Sequence, residues 1–348
     1  MKKAALLLLI LAGLLLTTSI ALAEKQKDFG IFTIRLENDT FAGTDRDYTH
    51  GARLTWVSPY LSTDKEDSAI PGWIYSLIEK LSIFNNPEAQ QAVSLSIGHN
   101  IYTPYDIERF DLIKEDRPYA GITYIGIGFY SKNKRHMDSL KFDFGIVGPH
   151  SFAEGIQKFI HELYGGTLPN GWKNQLKDEF AIGLSYNHTW KWLQSENYGD
   201  FGYALIPHVG GSLGNIFTGI YAGAEVRMGW NLPDNFGTSN NHPASEGNFA
   251  SAEYASNTFR RQRFGFHFFA SVEGEAVFQN IFLDGNTFQD SHHVEKLPFS
   301  VDITAGISMT LGRFIISCAY VLRTKQFKTQ QKEHIFGTIN LAYPLFQR

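Results

Sequence analysis

The sequence predicts an all-β protein, a transmembrane antiparallel β-barrel of about 12 strands with one short helix in an extracellular loop. Three observations predict this fold class. Segments of about 10 to 14 residues alternate apolar and polar side chains, as expected for strands between lipid and a polar interior. Aromatic residues make up 14% of the chain. Beyond the N-terminal segment, no run approaches the roughly 18 consecutive apolar residues of a membrane-spanning helix.

The N-terminal segment, residues 1–23, has the three parts of a cleaved signal peptide. Lys2 and Lys3 form a basic start, residues 4–16 are apolar, and residues 21–23 read Ala-Leu-Ala, a small-residue cleavage site. A membrane anchor would need a longer apolar run. The expected mature protein is therefore a single domain, residues 24–348, located beyond the inner membrane.

Charge and cysteine content exclude several classes of protein. The chain has 31 Lys and Arg against 35 Asp and Glu, a formal charge of −4 that becomes −6 without Lys2 and Lys3. This mildly acidic balance, with no basic stripe, indicates that nucleic acid is not a partner. The single cysteine, Cys318, excludes an intrachain disulfide and lies within a strand pattern.

Alternation of apolar and polar residues predicts a dozen strands, an even number as in bacterial single-chain barrels. Their predicted bounds are 29–39, 48–58, 92–102, 119–131, 139–148, 178–193, 200–213, 217–230, 262–281, 297–310, 313–326 and 333–345. Tight links such as Leu311 to Arg313 should be periplasmic turns. The long links should be extracellular, and they are 59–91, 103–118, 149–177, 231–261 and 282–296.

The segment from Ser151 to Gly166 is the exception, because its periodicity is helical. Ser151 and Glu154 form a capping-box pattern at its start, and Gly165-Gly166 is typical of a helix end. His161 lies near the end of this predicted helix. A lone histidine on a helix is more often structural than catalytic. Position alone does not choose it over the other histidines considered, which are His50, His99, His150, His188, His208 and His267.

Oxygen-bearing residues close the first predicted strand and open the second. Asn38 and Asp39 end one strand and Thr49 begins its hairpin neighbour, so their oxygens can converge at one level of the barrel. Such hard ligands suit calcium or magnesium rather than zinc, although the same residues also form ordinary turns. Asn38 shares the parity of the apolar Ile34 and Leu36, which places it on the lipid-facing side unless the strand bulges or ends there.

Two arginines follow in the next strand–loop–strand unit. Arg109 and Arg117 lie in the link 103–118, where charged residues are commonly just solvated. A guanidinium at an extracellular mouth can also hold a phosphate group through two hydrogen bonds.

No Gly-x-Ser-x-Gly motif occurs, which weakens the interpretation of the protein as a serine hydrolase. A histidine that activates water beside an oxyanion-stabilising metal needs no protein nucleophile.

At these residues the sequence resembles the outer-membrane lipid A 3′-O-deacylase family (LpxR), over essentially the whole mature chain. The resemblance is carried by short motifs in a fixed order: Asn38-Asp39, Asp-Tyr-Thr-x-Gly at 47–51, Ile-Tyr-x-Pro at 101–104, Asp116-Arg117, Gly-x-Val-Gly-Pro at 145–149, His161 and Trp172. It implies a barrel of about a dozen strands, in the outer membrane of a Gram-negative bacterium, that hydrolyses the 3′-acyloxyacyl ester of lipid A and requires Ca²⁺.

The resemblance also implies roles for individual residues. Asn38, Asp39 and Thr49 would form the calcium and oxyanion site, and His161 would be the general base that activates water. Arg109 stands where family members have a lysine thought to contact the phosphate region of lipid A. Arg117 is predicted to bind substrate from its guanidinium chemistry alone. A family glutamate falls near Thr167, which is not acidic, so Glu162 is a candidate for that role.

Two other classes of function remain open from the residues. A non-enzymatic pore or adhesin would also have a polar interior, and an outer-membrane phospholipase would use a serine nucleophile. For the enzyme, lipopolysaccharide and the outer membrane are the expected partners and the protein is expected to be a monomer. The parity of Asn38 predicts a site outside the lumen, near the outer leaflet, with His161 carried to it by the helix.

Overall fold

The computed structural model describes residues 28–39, 47–61, 89–195, 201–238 and 264–346. The predicted signal peptide and most of the link 59–91 lie outside these residues. The described residues form thirteen strands, numbered β1 to β13 in chain order: Asp28–Asn38, Asp47–Val57, Gln90–Thr103, Ala120–Lys132, His136–Val147, Glu179–Trp190, Leu193–Gln194, Phe201–Gly214, Phe217–Trp230, Phe264–Asn280, Phe299–Leu311, Phe314–Arg323 and His334–Phe346. Two α-helices, α1 and α2, span Ala153–Tyr164 and Ile281–Asp284, and 3₁₀ turns span Pro149–Ser151 and Trp172–Asn174.

The strands close into a barrel. Each long strand pairs antiparallel with its neighbours, β1 pairs with β13, and β6 pairs with β8, so the sheet has no open end among the long strands. The two-residue β7 is a side pairing on β8. The predicted barrel of about 12 strands is therefore confirmed, with strand bounds within a few residues of those expected. None of the helices in the described ranges has the length and apolar character needed to cross a membrane.

Side-chain alternation separates the two faces of the wall. On β3, Leu95 and Ile97 are each 52% exposed, whereas Ser94 and Ser96 are each 2% exposed and point into the barrel. Successive side chains of a strand point to opposite faces, so this pattern defines an apolar outer wall and a polar interior. The same alternation on β9 and β11 leaves Val226 and Ile303 exposed on the outside.

Charged pairs occupy the interior. Arg323 donates two hydrogen bonds to the Asp302 carboxylate, at 2.8 and 2.7 Å. His208 lies 2.6 Å from Glu273, and both are buried. The Arg323 and Asp302 charges are thereby paired in a region of low dielectric. A cavity of about 160 Å³ remains in the interior, lined in part by Arg35, Glu37 and Arg323.

The start of the link 231–261 folds into the barrel. Phe236 is fully buried among lumen-facing side chains of β2 to β5, with the ammonium of Lys191 4.2 Å from its ring centre. Arg227 donates to the side chain of Asn235 at 2.5 Å, and the Thr238 backbone donates to Glu225. This short segment fills the interior at one end of the barrel.

The barrel has two ends, which we call the loop end and the terminus end. The loop end carries Asn38, Asp47 and Thr103; the terminus end carries the first residue of β1 and the last of β13. The links 103–118, 149–177 and 282–296 lie at the loop end, and the turn at Leu311 to Arg313 lies at the terminus end. Three of the links predicted to be extracellular thus share the loop end, which we take as the extracellular end.

The prediction that every long link is extracellular is wrong for 59–91 and 231–261. Both begin and end at the terminus end, because β2 ends there at Val57, β3 starts there at Gln90, and the same holds for β9 and β10. Antiparallel connectivity makes successive links alternate between ends, so position in the chain decides the side and loop length does not.

The helix α1 starts later than its sequence predicts. Ser151 belongs to the preceding 3₁₀ turn, where its hydroxyl donates to the Gly148 carbonyl at 2.6 Å. The residue before α1, Phe152, has φ 64°, and no side chain caps the helix. The predicted capping box is therefore wrong, because a turn led by Pro149 takes up Ser151 first. The predicted end is confirmed, since Gly165 closes the helix with φ 71°.

Because its interior is filled with side chains, the barrel is predicted to conduct ions poorly. In planar bilayers we expect the wild-type chain to show no steady open-channel current, because paired charges and the 231–238 segment occupy the lumen. Releasing the inserted segment from Arg227 and Glu225, by the double substitution Asn235→Ala and Thr238→Ala, should produce intermittent current while the strands stay intact. A steady current through the wild-type protein, of the size seen with diffusion pores, would contradict this prediction and favour the pore.

Candidate active site on the outer wall

The candidate site is built on rows of side chains that face outward at the loop end. Strand register places side chains of β1 to β4 side by side in horizontal rows, and rows along a strand are about 6.6–6.8 Å apart. From the loop end downward the three rows are Asn38, His50, Ile101 and Gly121; then Leu36, Ala52, His99 and Thr123; then Ile34, Leu54, Ile97 and Ile125. Leu54, Ile97 and Ile125 are 42–52% exposed, which identifies this face as the lipid-facing one.

The predicted oxygen ligands lie at the top of these rows. Asn38 stands directly opposite His50, on the outer side as its parity with Leu36 requires. The pairing of β2 with β3 shifts between Tyr48 and His50, so Thr49 is an extra residue in a bulge. The Thr49 and Thr103 hydroxyls lie 2.6 Å apart and are buried, and Asp39 is fully buried. The closed sheet thus gathers Asn38, Asp39 and Thr49 at one corner of the wall.

Thr103 is a member of this corner that the sequence did not reveal. It occupies the variable position of the Ile-Tyr-x-Pro motif, and it is fully buried. Its bond to Thr49 joins residues 54 positions apart, so it depends on the register of β2 against β3. A threonine within a strand carries no local sign of such a contact.

The helix α1 packs against the outer wall beside this corner. Ala153 and Ile156 lie in one apolar cluster with Ile101 of β3 and with Trp172. A side chain on Gly121 would place its Cβ 2.1 Å from the Ala153 Cβ, so the close approach of α1 requires glycine there. The Trp172 indole donates to the Gln157 amide oxygen at 2.8 Å, and both side chains are buried.

The order of contacts gives the direction of α1 across the wall. The 3₁₀ turn before it contacts β4 and β5, whereas α1 itself contacts β3 and β4. The segment therefore runs from β5 toward β3, in the direction of β2 and β1. His161 lies one helical turn after the buried Gln157, and its own side chain is partly exposed. From this direction we predict that the helix carries His161 toward the corner that holds Asn38, Asp39 and Thr49.

The end of α1 orients the His161 ring. Gly165 and Gly166 reverse the chain, and the Gly166 amide donates to the His161 carbonyl at 2.8 Å. This reversal brings the Thr167 carbonyl oxygen to 2.5 Å from His161 Nδ1. A carbonyl can only accept, so Nδ1 is the donor in this contact, and Nε2 is the nitrogen that can accept when the ring is neutral. Glu162 is exposed and does not take this position.

The fold separates the competing histidines. His208 and His267 are buried in the interior, and His150 is an exposed residue bound to Asp178 at 2.6 Å. His188 faces outward toward the terminus end, where it lies 2.6 Å from Asp138. Besides His161, only His50 and His99 of the histidines considered lie in the rows at the candidate site. Their outward parity was readable from the strand pattern, although their proximity to Asn38 was not.

The two predicted substrate-binding arginines lie apart. Arg109 is exposed in the β3–β4 link, whose Ile107 packs beside Trp172. Arg117 is 2% exposed; its guanidinium donates to Gln326 at 3.0 Å and lies 5.4 Å from the Phe327 ring centre. Arg117 therefore joins the β3–β4 link to the β12–β13 link inside the mouth, and the structure does not bring it to the outer-wall corner.

The donors at the corner fit a hard cation. No cluster of three or more His, Cys, Asp and Glu side chains with metal-binding geometry occurs within the described residues. The corner instead combines the buried Asp39 carboxylate, the Asn38 amide and the Thr49 hydroxyl, which are oxygen donors of the kind that Ca²⁺ takes.

The close packing at Gly121 yields a prediction about α1. Gly121→Ala should lift α1 from the wall, because the new methyl group would collide with Ala153 and Ser151. We expect easier proteolysis within 149–178 and altered Trp172 fluorescence. The barrel should remain folded, which is checked by comparing the electrophoretic mobility of heated and unheated samples. Gly155→Ala is the matched control, since nothing lies within 4 Å of its added methyl group and alanine favours the helix by about 1 kcal/mol. Equal behaviour of the two variants would contradict the packing described.

Comparison with known proteins agrees with this architecture. The family model described as outer membrane protein LpxR matches residues 7–345. The solved structure of LpxR from Salmonella typhimurium aligns with a TM-score of 0.70 and 18% identity, covering 90% of this chain and 99% of that one. At this identity the likeness establishes the fold alone.

Other matches are more distant. The β domain of the Bordetella autotransporter BrkA aligns with a TM-score of 0.40 and 8% identity, over 93% of this chain and all of that one. A sequence search of curated proteins finds no match. The family model, which covers nearly the whole chain, establishes that this protein belongs to the LpxR family of outer membrane proteins.

Proposed function

We propose that this outer-membrane protein is a carboxylic ester hydrolase that removes the 3′-acyloxyacyl chain of lipid A in a calcium-dependent reaction. The observation that carries the proposal is the position of the candidate site. It lies on the outer wall at the loop end, directly above apolar rows that face lipid. Membership of the LpxR family supports lipid A as the substrate.

The wall explains how a membrane lipid would reach the site. An acyl chain can lie along Leu36, Ile34 and Leu54, in contact with hydrocarbon, while its ester reaches the row of Asn38 and His50. The ester of a lipid in the outer leaflet lies at the boundary between headgroups and acyl chains. A substrate bound in this way keeps its apolar surface out of water, so binding does not require extraction from the membrane.

His161 is the proposed general base. With Nδ1 held by the Thr167 carbonyl, Nε2 accepts a proton from a water molecule, and the water oxygen forms a bond to the ester carbonyl carbon. The tetrahedral intermediate then breaks its bond to the 3′ oxygen of the sugar. That oxygen takes the proton back from His161, and the acyloxyacyl chain leaves as a carboxylic acid. The Thr167 carbonyl would thus orient the His161 ring, at the position where the family pattern has a glutamate.

Asn38, Asp39 and Thr49 are the proposed metal and oxyanion residues. When bound, Ca²⁺ would supply positive charge to stabilise the oxyanion that develops on the ester carbonyl. The Asp39 carboxylate, the Asn38 amide oxygen and the Thr49 hydroxyl would hold it. Thr103 fixes the Thr49 side chain through the 2.6 Å contact between their hydroxyls. A rigid corner of this kind favours the transition state because it needs little reorganisation.

We assign different roles to the two arginines. Arg109 is exposed at the loop end and is proposed to bind a phosphate group of lipid A. Arg117 is proposed to hold two links together at the mouth and so to affect the substrate only indirectly, because its guanidinium is buried against Gln326 and Phe327.

The filled interior disfavours the alternative of a diffusion pore. For a phospholipase with a serine nucleophile, Ser151 is the serine nearest α1, but it is fully buried and bonded to Gly148.

The proposed base yields the central prediction. Purified wild-type protein with Ca²⁺ should shorten lipid A by its 3′-acyloxyacyl chain, measured by mass spectrometry, and EDTA should abolish the reaction. His161→Ala should lower kcat by roughly 10²- to 10⁴-fold, the range for loss of a general base. Asp39→Asn should likewise lose activity and should need a higher Ca²⁺ concentration.

His150→Ala is the matched control, because His150 is exposed and bound to Asp178 away from the corner. It should keep wild-type activity. The assignment fails if lipid A is unchanged in the presence of Ca²⁺, or if His161→Ala retains full activity.

The arginines yield a separate prediction. Arg109→Gln should raise KM for lipid A about tenfold with little change in kcat, because a surface phosphate contact contributes mainly to binding. On lipid A that lacks the phosphate group bound by Arg109, the variant and the wild-type protein should have the same KM. Arg117→Gln should instead lower the denaturation temperature, since it removes a buried contact between two links. The reverse pattern would exchange the two roles.

A further inference from the structure

A cavity at the loop end lies outside the candidate active site. It has a volume of about 290 Å³ and lies between the β3–β4 link and the β12–β13 link. We call it the mouth groove; its lining includes Tyr105, Arg109, Phe327, Gln330, Gln331 and Lys332. Its volume lies just below the range for small-molecule sites, about 300–1,000 Å³.

The groove is preformed by hydrogen bonds between the two links. Thr329 donates its hydroxyl to the Glu115 carbonyl at 2.5 Å, and Arg117 donates to Gln326 at 3.0 Å. The Tyr105 backbone is fixed by the Asp116 carboxylate at 2.7 Å. Because these contacts use protein partners, little conformational freedom would be lost when a ligand binds.

The groove contains an unsatisfied donor. Gln330 is 6% exposed, and its side-chain oxygen accepts from the Gln326 backbone at 2.7 Å. Its side-chain nitrogen is buried and has no hydrogen-bond partner within the described residues. A buried amide nitrogen normally has a partner, so this one indicates an acceptor supplied by a ligand or by water.

The remaining chemistry defines that ligand. Arg109 and Lys332 add two cationic donors, and Tyr105 offers an aromatic ring that is 53% exposed. The carboxylates of Asp116 and Asp106 already accept backbone hydrogen bonds of their own link. A molecule rich in oxygen acceptors, with a flat C–H face to lie on an aromatic ring, fits this arrangement. A saccharide has both features.

We propose that the mouth groove binds the saccharide that extends from lipid A in intact lipopolysaccharide. This rests on the proposed function for the link to catalysis, because the β3–β4 link that forms one side of the groove also packs against the support of α1 through Ile107 and Trp172. Sugar bound at the mouth would hold the lipid while its acyl chain lies on the outer wall. The protein would then act faster on lipopolysaccharide than on bare lipid A.

Binding and catalysis test the proposal separately. Lipid-free core oligosaccharide should bind the detergent-solubilised protein, seen by saturation-transfer NMR, and Tyr105→Ala or Gln330→Glu should weaken that binding roughly tenfold. In the hydrolysis assay, KM for core-bearing lipopolysaccharide should be about tenfold below that for lipid A of the same acyl pattern. Both variants should remove this preference with activity on bare lipid A unchanged.

Phe288→Ala is the matched control, because Phe288 is an exposed aromatic residue on another loop-end link and does not line the groove. It should keep both binding and preference. Absence of oligosaccharide binding, with equal KM for the two substrates, overturns the proposal even if the protein is an active deacylase. Binding of inorganic phosphate as tight as that of the oligosaccharide also overturns it. Oligosaccharide binding without any hydrolysis of lipid A would support the mouth groove as a saccharide site and would contradict the proposed function instead.

Discussion

Closure of the sheet is the constraint on which the rest of the structure depends. A strand exposed to lipid must satisfy its backbone N–H and C=O groups within the sheet, because hydrocarbon offers no partner. Pairing of β1 with β13 and of β6 with β8 achieves this for the long strands. Closure also determines which side chains face outward. Once Leu54 and Ile97 face lipid, Asn38, His50 and His99 must share that side.

The polar corner can exist on a lipid-facing wall because α1 and the following loop pack beside it. Ile101 and Thr103 belong to the outer face of β3, yet both are fully buried. Ile101 is covered by Ala153, Ile156 and Trp172, and Thr103 is bonded to Thr49. The extracellular link 149–177 therefore converts part of a membrane wall into a protein interface. The outer wall here has apolar rows below and polar residues at the top, as the proposed lipid ester substrate would require.

The interior of the barrel has a structural role in this arrangement. Ion pairs such as Arg323 with Asp302, and the inserted segment around Phe236, fill it with side chains that depend on one another. Loss of one partner would leave a buried charge, which is strongly destabilising. A filled interior makes the wall stiff, and a stiff wall holds Asn38 and Thr49 in a constant position beside the strands that carry α1. The interior thus supports the candidate site without containing it.

The sequence by itself determined the features that depend on local pattern. Period-2 alternation predicted twelve strands and the outward side of Asn38, and Gly165 predicted the end of α1, because a left-handed residue is needed there. Only the tertiary structure decided which distant residues meet. Register joined Thr49 to Thr103, chain reversal brought the Thr167 carbonyl to His161, and Pro149 drew Ser151 into a turn instead of a helix cap. Arg117 and Arg109 look alike in sequence, yet burial separates them. Such contacts join residues through space, and neither composition nor periodicity of a single segment encodes them.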